Sequence, residues 1–208
     1  MGASSGRLRL LAGFVLVLTS MVVLLLVPSN LFVTATFAAT ICMIIATLIL
    51  GAYRSLFRPS ARSIALGLGI AALLYLVFIG GNAGIASTHP FGISSSNENS
   101  IYSLIASPGN PFYLQILVLM FDAVGYESYF RGVLQQRLGT RLGRAAPAGV
   151  AALDAAIHII SLNPLWVAST FIVDTFWGYG YRYTKDLTGN VVSHFVWDIL
   201  IFVLFPIH

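Results

Sequence analysis

Eight ionisable side chains stand inside apolar stretches in the second half of this sequence: Asp122, Glu127, Arg131, Asp154, His158, Asp174, His194 and Asp198. Carboxylates and imidazoles gathered in one pocket are the equipment of general acid–base chemistry. Glu127 with Arg131, Asp154 with His158, and His194 with Asp198 are spaced i,i+4, so each pair shares one face of a helix. Two histidines with carboxylates could also hold a metal ion, with zinc the candidate. A side-chain nucleophile is not indicated. Ser193 adjoins His194, but neighbouring helix positions point apart, and the single cysteine, Cys42, lies in a distant apolar run where it reads as a small packing residue. Activated water is the chemistry these residues favour.

The elements that must position them are apolar runs at Leu10–Val27, Leu31–Tyr53, Ile64–Ala83, Phe112–Leu134, Ala145–Leu162, Leu165–Tyr181 and Gly189–Phe205. Each is about 17–23 residues long, enough to cross a hydrocarbon core of ~30 Å as a helix. Of the 208 residues, 58% are hydrophobic and 9% charged, with a mean hydropathy of +0.88. A soluble domain carries roughly 25% charged residues, so lipid must be the solvent for much of this chain. Unpaired backbone amides are too costly in lipid for anything but helices or a closed barrel, and polar/apolar alternation is rare here. The expectation is an all-α membrane protein of about seven transmembrane helices.

The cations orient it. Arg7 and Arg9 precede the first run; Arg54, Arg58 and Arg62 follow the second; Arg137, Arg141 and Arg144 follow the fourth; Arg182 and Lys185 follow the sixth. Threading seven spans puts all of these on one face, which the positive-inside rule makes cytoplasmic, giving N-in and C-out. The net charge of +4 therefore reads as a topology signal, and no basic patch suggests nucleic acid. The apolar core after Arg9 is longer than a signal-peptide core of ~7–15 residues and no A-x-A site follows, so an uncleaved first span is expected. Gly84–Pro111, rich in Ser, Asn, Gly and Pro, reads as one outer loop in which Ile101–Ile105 could form a short helix. No internal repeat or second domain is visible.

Counted at 1.5 Å per residue, the buried polar residues of the last four spans lie at ~8–18 Å from the cytoplasmic ends, a common layer. Ionisable groups near a helix centre cost ~2.5–3.5 kcal/mol each on insertion scales, so a function with named partners is the default. The plainer alternatives are an ion pair bracing the fourth span through Glu127 and Arg131, and hydrogen-bonded core histidines.

Three segments resemble the CAAX protease and bacteriocin-processing (CPBP, or Abi) family of intramembrane proteases. Tyr126–Leu138, YESYFRGVLQQRL, resembles the family's EExxxR segment; Leu153–Ile159, LDAAIHI, resembles its FxxxH segment; Tyr181–Leu200 resembles its Tyr–Arg–x–Thr–Gly turn followed by HxxxN or HxxxD. Order and spacing agree over Phe112 to Phe205, which the resemblance marks as a CPBP-like core within a single transmembrane domain spanning the chain. The resemblance implies a glutamate-dependent, metal-free peptidase acting near the membrane, including on prenylated CAAX tails. On that pattern a Glu of the first segment, usually the first of its pair, activates a water with His158, while His194 and Asp198 stabilise the oxyanion; Glu127 is the second Glu of the pair. Arg131 is the family's arginine.

Two departures matter. Tyr126 stands where the family has its first Glu, and Asp154 stands where it has Phe. A tyrosine with pKa ≈ 10 is a poor base near neutrality. Either Asp154 or Glu127 supplies the missing charge, or the chain keeps the fold without the activity. The expected function is thus an intramembrane endopeptidase, with a catalytically silent membrane-binding or immunity protein as the alternative and a proton-linked transporter after that. Expected partners are the lipid bilayer and a membrane-associated peptide or protein substrate. No cofactor is expected, zinc being the alternative. The location expected is a membrane, crossed several times, and the cell membrane if the source is prokaryotic.

Overall fold

The computed structural model describes residues 3–50, 56–88, 95–105 and 111–207. Among these every regular element is helical. In chain order they are α1 (Ala3–Leu26), α2 (Ser29–Ile49), α3 (Ala61–Thr88), α4 (Ser95–Ile105), α5 (Phe112–Tyr129), α6 (Gln136–Leu142), α7 (Ala146–His158), α8 (Pro164–Thr184) and α9 (Leu187–Asp198). Wider π turns at Phe130–Gln135 and Ile199–Leu204 extend α5 into α6 and lengthen α9.

Burial runs opposite to that of a soluble protein. Glu127, Arg131, Asp154 and Asp174 are 0% exposed, whereas Leu26 and Leu76 are 66% and 63% exposed. Apolar side chains can face outward in such numbers only where the surroundings are apolar too. Four helical stretches are long and apolar enough to cross a membrane: Leu8–Leu26, Ser29–Ile49, Ala61–Thr88 and Leu187–Leu204. Among the described residues the chain is all-helical, with the outward apolar faces of a membrane protein.

The remaining runs depart from simple spans for local reasons. α7 has 13 residues, about 20 Å of helix at 1.5 Å each. It ends at His158, where the expected run continued to Leu162. A tight turn at Ile159–Ser161 and a left-handed Leu162 (φ 55°) swing the chain into α8. There Asn163 caps, its side-chain oxygen accepting from the Leu165 and Trp166 N–H groups at 3.0 and 3.3 Å, with Pro164 in the first turn. The stretch expected as a loop from Gly84 instead holds the last residues of α3 and all of α4. In α4, Glu98, Ile101 and Tyr102 fall at i, i+3 and i+4, one face of a helix, so the segment has an inward side despite its polar composition. Arg54 and His208, and the end of the second run at Tyr53, lie outside the described residues.

The bundle has two distinguishable ends. At one, the Leu187 N–H donates to the Leu56 carbonyl (2.8 Å), the Arg58 N–H to Asp186 (2.9 Å), and the Arg182 guanidinium to the Gly143 carbonyl (3.0 Å). These bonds gather the turns that follow α2, α6 and α8, which carry the cations. At the other end, the Asn163 amide donates to the Asn97 carbonyl (2.9 Å) and to the Ser100 hydroxyl (2.8 Å), and the Ile207 N–H donates to the Tyr102 hydroxyl (3.1 Å). Between the ends, α3 lies against α9, α2 against α5, and α7 against α8. The α3–α9 approach is backbone to backbone: a Cβ on Gly67 would stand 2.4 Å from the Gly189 carbonyl oxygen.

Candidate functional site

Four helices bring their polar residues to one buried place. α5 and its π turn contribute Tyr126, Glu127 and Arg131; α7 contributes Asp154 and His158; α8 contributes Asp174; α9 contributes Asn190, His194 and Asp198. The i,i+4 spacings all become contacts: Arg131 Nε lies 3.4 Å from Glu127 Oε2, His158 Nδ1 3.6 Å from Asp154 Oδ1, and His194 Nε2 3.5 Å from Asp198 Oδ2.

Pairing between helices divides the cluster into two parts. In the first, Glu127 Oε1 is 3.1 Å from His194 Nδ1, and Glu127 Oε2 accepts a hydrogen bond of 3.0 Å from the Asn190 amide. His194 therefore has a carboxylate at each ring nitrogen. The Trp177 ring lies flat on it, centroids 3.9 Å apart at 19°, while the Trp177 N–H donates to Ser193 Oγ at 3.1 Å. In the second part, the Tyr126 hydroxyl donates to Asp154 Oδ2 and also lies 3.1 Å from Asp174 Oδ1. His158 closes this part, with Nδ1 3.0 Å from the Asp154 carbonyl oxygen and its ring tilted against Trp166 at 5.4 Å.

Two residues join the parts. Arg131 pairs with Glu127 on one side and with Asp174 on the other, fully buried. The Tyr126 ring stands edge-on to His194 at 5.2 Å and 88°. His158 and His194 thus meet through Tyr126 and Asp154, with no direct bond between the rings among the described contacts. Asp154 Oδ1 and Asp174 Oδ2 are buried with no hydrogen-bond partner, spare acceptors inside the cluster. Asp122 accepts from the Thr40 hydroxyl at 2.8 Å and, with His194 and Asp198, offers ligand atoms within 4.8 Å of one another. A catalytic zinc is held by three such ligands plus water, so this donor set suits one.

Asn190 and Trp177 are the members that the sequence reading passed over. Asn190 is uncharged, and a search for charge does not find it. The signal was its position: 190, 194 and 198 repeat every four residues on one face of α9. Trp177 reads as span packing until its face is seen against an imidazole.

Residues 108–200 match the family model of the type II CAAX prenyl endopeptidase Rce1-like proteins. The matched segment contains every residue of this cluster, from Asp122 to Asp198. Over these residues the chain is similar to the CAAX-type intramembrane proteases. No curated protein and no solved structure matches it. Tyr126 and Asp154, the two positions at which the sequence departs from the CPBP motifs it resembles, are the two that bond to each other.

Proposed function

We propose that this chain is an active intramembrane endopeptidase of the CPBP type that hydrolyses membrane-proximal peptides, prenylated CAAX tails among them, with water activated by Asp154 and His158. The observation that carries this reading is the Tyr126–Asp154 contact. Carboxylate and aromatic ring have changed places between α5 and α7, so the charge missing at 126 is supplied from 154, beside His158. Asp154 Oδ1, with no hydrogen-bond partner and His158 Nδ1 3.6 Å away, takes a proton from water as its oxygen adds to the scissile carbonyl. That proton passes to the leaving amine as the C–N bond breaks. His194, held between Glu127 and Asp198, stabilises the oxyanion by the positive charge these two carboxylates favour on its ring. Arg131 offsets the charge of Glu127 and Asp174. The residues act without a metal; zinc on Asp122, His194 and Asp198 is the alternative, and activity lost to a chelator and regained with zinc favours it.

A second reading, a catalytically silent member that binds a membrane partner or confers immunity, is favoured by Tyr126 itself, since no carboxylate occupies that position. The test is cleavage of a panel of prenylated and membrane-tethered peptides by purified protein in lipid. The peptidase reading expects turnover that Asp154→Asn lowers on the order of 10²–10⁴-fold while the protein stays folded. Full activity in Asp154→Asn overturns the assigned base, and an inert wild type favours the silent reading.

The arrangement in the membrane belongs to the same proposal: about seven crossings of the cell membrane, N-in and C-out, with the cation-bearing turns cytoplasmic. The bonds that gather those turns at one end support it. Cysteine labelling at Arg141→Cys from inside and Ser95→Cys from outside, in a Cys42→Ala background, tests it; the reverse pattern rejects it.

A further inference from the structure

Beyond Trp197, on the side away from the polar cluster, α3, α4, α8 and the end of α9 line a half-open cavity of about 170 Å³. That is close to the ~150 Å³ cavity known to hold benzene. Four aromatic rings line it: Phe78, Tyr102, Trp197 and Phe202. They meet at steep angles, Phe78 with Trp197 at 5.0 Å and 69°, Tyr102 with Phe202 at 6.0 Å and 69°, Trp197 with Phe202 at 6.1 Å and 80°. The rest of the wall is aliphatic apart from Asn82, Ser169 and one carboxylate. Glu98 of α4 lines the cavity, is 8% exposed, and among the described residues engages in no hydrogen bond or ion pair. No basic side chain lines the cavity among the described residues.

A carboxylate set in a largely apolar wall with no cation beside it is costly to keep charged. Aromatic faces carry partial negative charge, and several of them around one small space attract organic cations, the arrangement that recognises quaternary ammonium groups. Carboxylate and rings therefore ask for the same thing. The wall is also preformed, because Asn163 ties α4 to the start of α8 through Asn97 and Ser100, and Tyr102 is tied to Ile207.

We propose that this cavity binds a small organic cation, an alkylammonium or quaternary ammonium centre paired with Glu98 and packed against the four rings. A strongly hydrated metal cation suits it poorly, since the wall offers too few oxygens to replace its water. Such a centre comes either from the choline headgroup of a membrane lipid or from a soluble amine, and the two share this chemistry. The proposal does not rest on the peptidase reading, in which Glu98 and Phe78 have no part.

The test uses the full chain in nanodiscs of phosphatidylglycerol, titrated with tetramethylammonium and with its uncharged isostere 2,2-dimethylpropane, followed by thermal shift and tryptophan fluorescence. Tetramethylammonium is expected to bind saturably, with the isostere weaker by about tenfold or more. Glu98→Gln, which keeps the shape, and Phe78→Leu are each expected to weaken the cation about tenfold. Peptide cleavage, where measured, is unchanged by Glu98→Gln. Discs of phosphatidylcholine that block tetramethylammonium identify the lipid headgroup as the ligand; discs that leave it unaffected identify a soluble amine. Equal binding of cation and isostere, cation binding indifferent to Glu98→Gln, or no saturable binding to folded wild type overturns the proposal. Should Glu98→Gln fail to fold, Phe78→Leu with the carboxylate intact carries the same comparison.

Discussion

Tyr126 on α5 donates a hydrogen bond to a carboxylate oxygen of Asp154 on α7, joining the two positions at which the chain departs from the CPBP motifs it resembles. The contact invites an exchange experiment. Asp154→Phe alone is expected to abolish peptide cleavage. Tyr126→Glu combined with Asp154→Phe returns the carboxylate to α5 and the aromatic ring to α7, and cleavage is expected to recover to within about tenfold of wild type, small beside the 10²–10⁴ at stake in removing a base. A double variant as inert as the single one rejects the exchange.

Arg131 is flanked by two carboxylates, so losing one is expected to be tolerated better than losing both. Glu127→Gln leaves the Asp174 partner in place, and Asp174→Asn leaves Glu127. Thermal unfolding in detergent should show modest losses for each. The combination leaves a buried guanidinium unpaired and should cost about 3–5 kcal/mol or prevent accumulation of the protein. Simple additivity of the two single losses contradicts the shared pairing.

Asn190 holds Glu127 from one side with its amide while also bonding the Trp177 carbonyl at 2.7 Å. Asn190→Ala is expected to lower kcat roughly tenfold or more with KM little changed, as for an interaction that matters in the transition state. A rise in KM at constant kcat would place Asn190 in substrate binding instead.

How much of this was legible beforehand depends on what helical periodicity encodes. The three i,i+4 pairs were readable because both partners sit on one helix. Glu127–His194, Tyr126–Asp154 and Arg131–Asp174 were not, because period fixes the face of a helix and leaves open which helix comes to meet it. The π turn at Phe130–Gln135 leaves no mark in the sequence, although Arg131 sits within it. The end of α7 at His158 was missed for another reason: the apolar run continues to Leu162, while the turn is set by Asn163 and Pro164 just beyond it.

At the end of the bundle where the cations gather, Asp186 caps α9 and accepts from the Ser63 hydroxyl and from the backbone N–H groups of Thr188 and Arg58. Burial would raise this carboxyl, but these donors outweigh it and hold it below the usual carboxylate range. A carboxyl lowered on folding contributes stability above its unfolded pKa of ~3.9, and the contribution is lost as pH falls through the folded value. Asp186→Ala is expected to cost about 0.5–2 kcal/mol at pH 7, by the loss of a cap alone. The gap between variant and wild-type melting temperatures should narrow below about pH 4. A gap that widens with acid contradicts the assignment.

The bare contact of Gly67 with Gly189 reaches further than packing. The helix it seats is the one that bears Asn190, His194 and Asp198, and Gly189 is the residue just before Asn190. A methyl group at either glycine pushes α9 away from α3, since the Cβ on Gly67 would lie 2.4 Å from a carbonyl oxygen and that on Gly189 2.8 Å from the Ser63 carbonyl oxygen. The imidazole then shifts relative to Glu127 although no polar atom has been altered. An unbiased screen for inactive variants should therefore return Gly67 and Gly189 beside the charged residues. Such lesions would be rescued by a compensating change on the facing helix, and not by any repair of the acid–base groups.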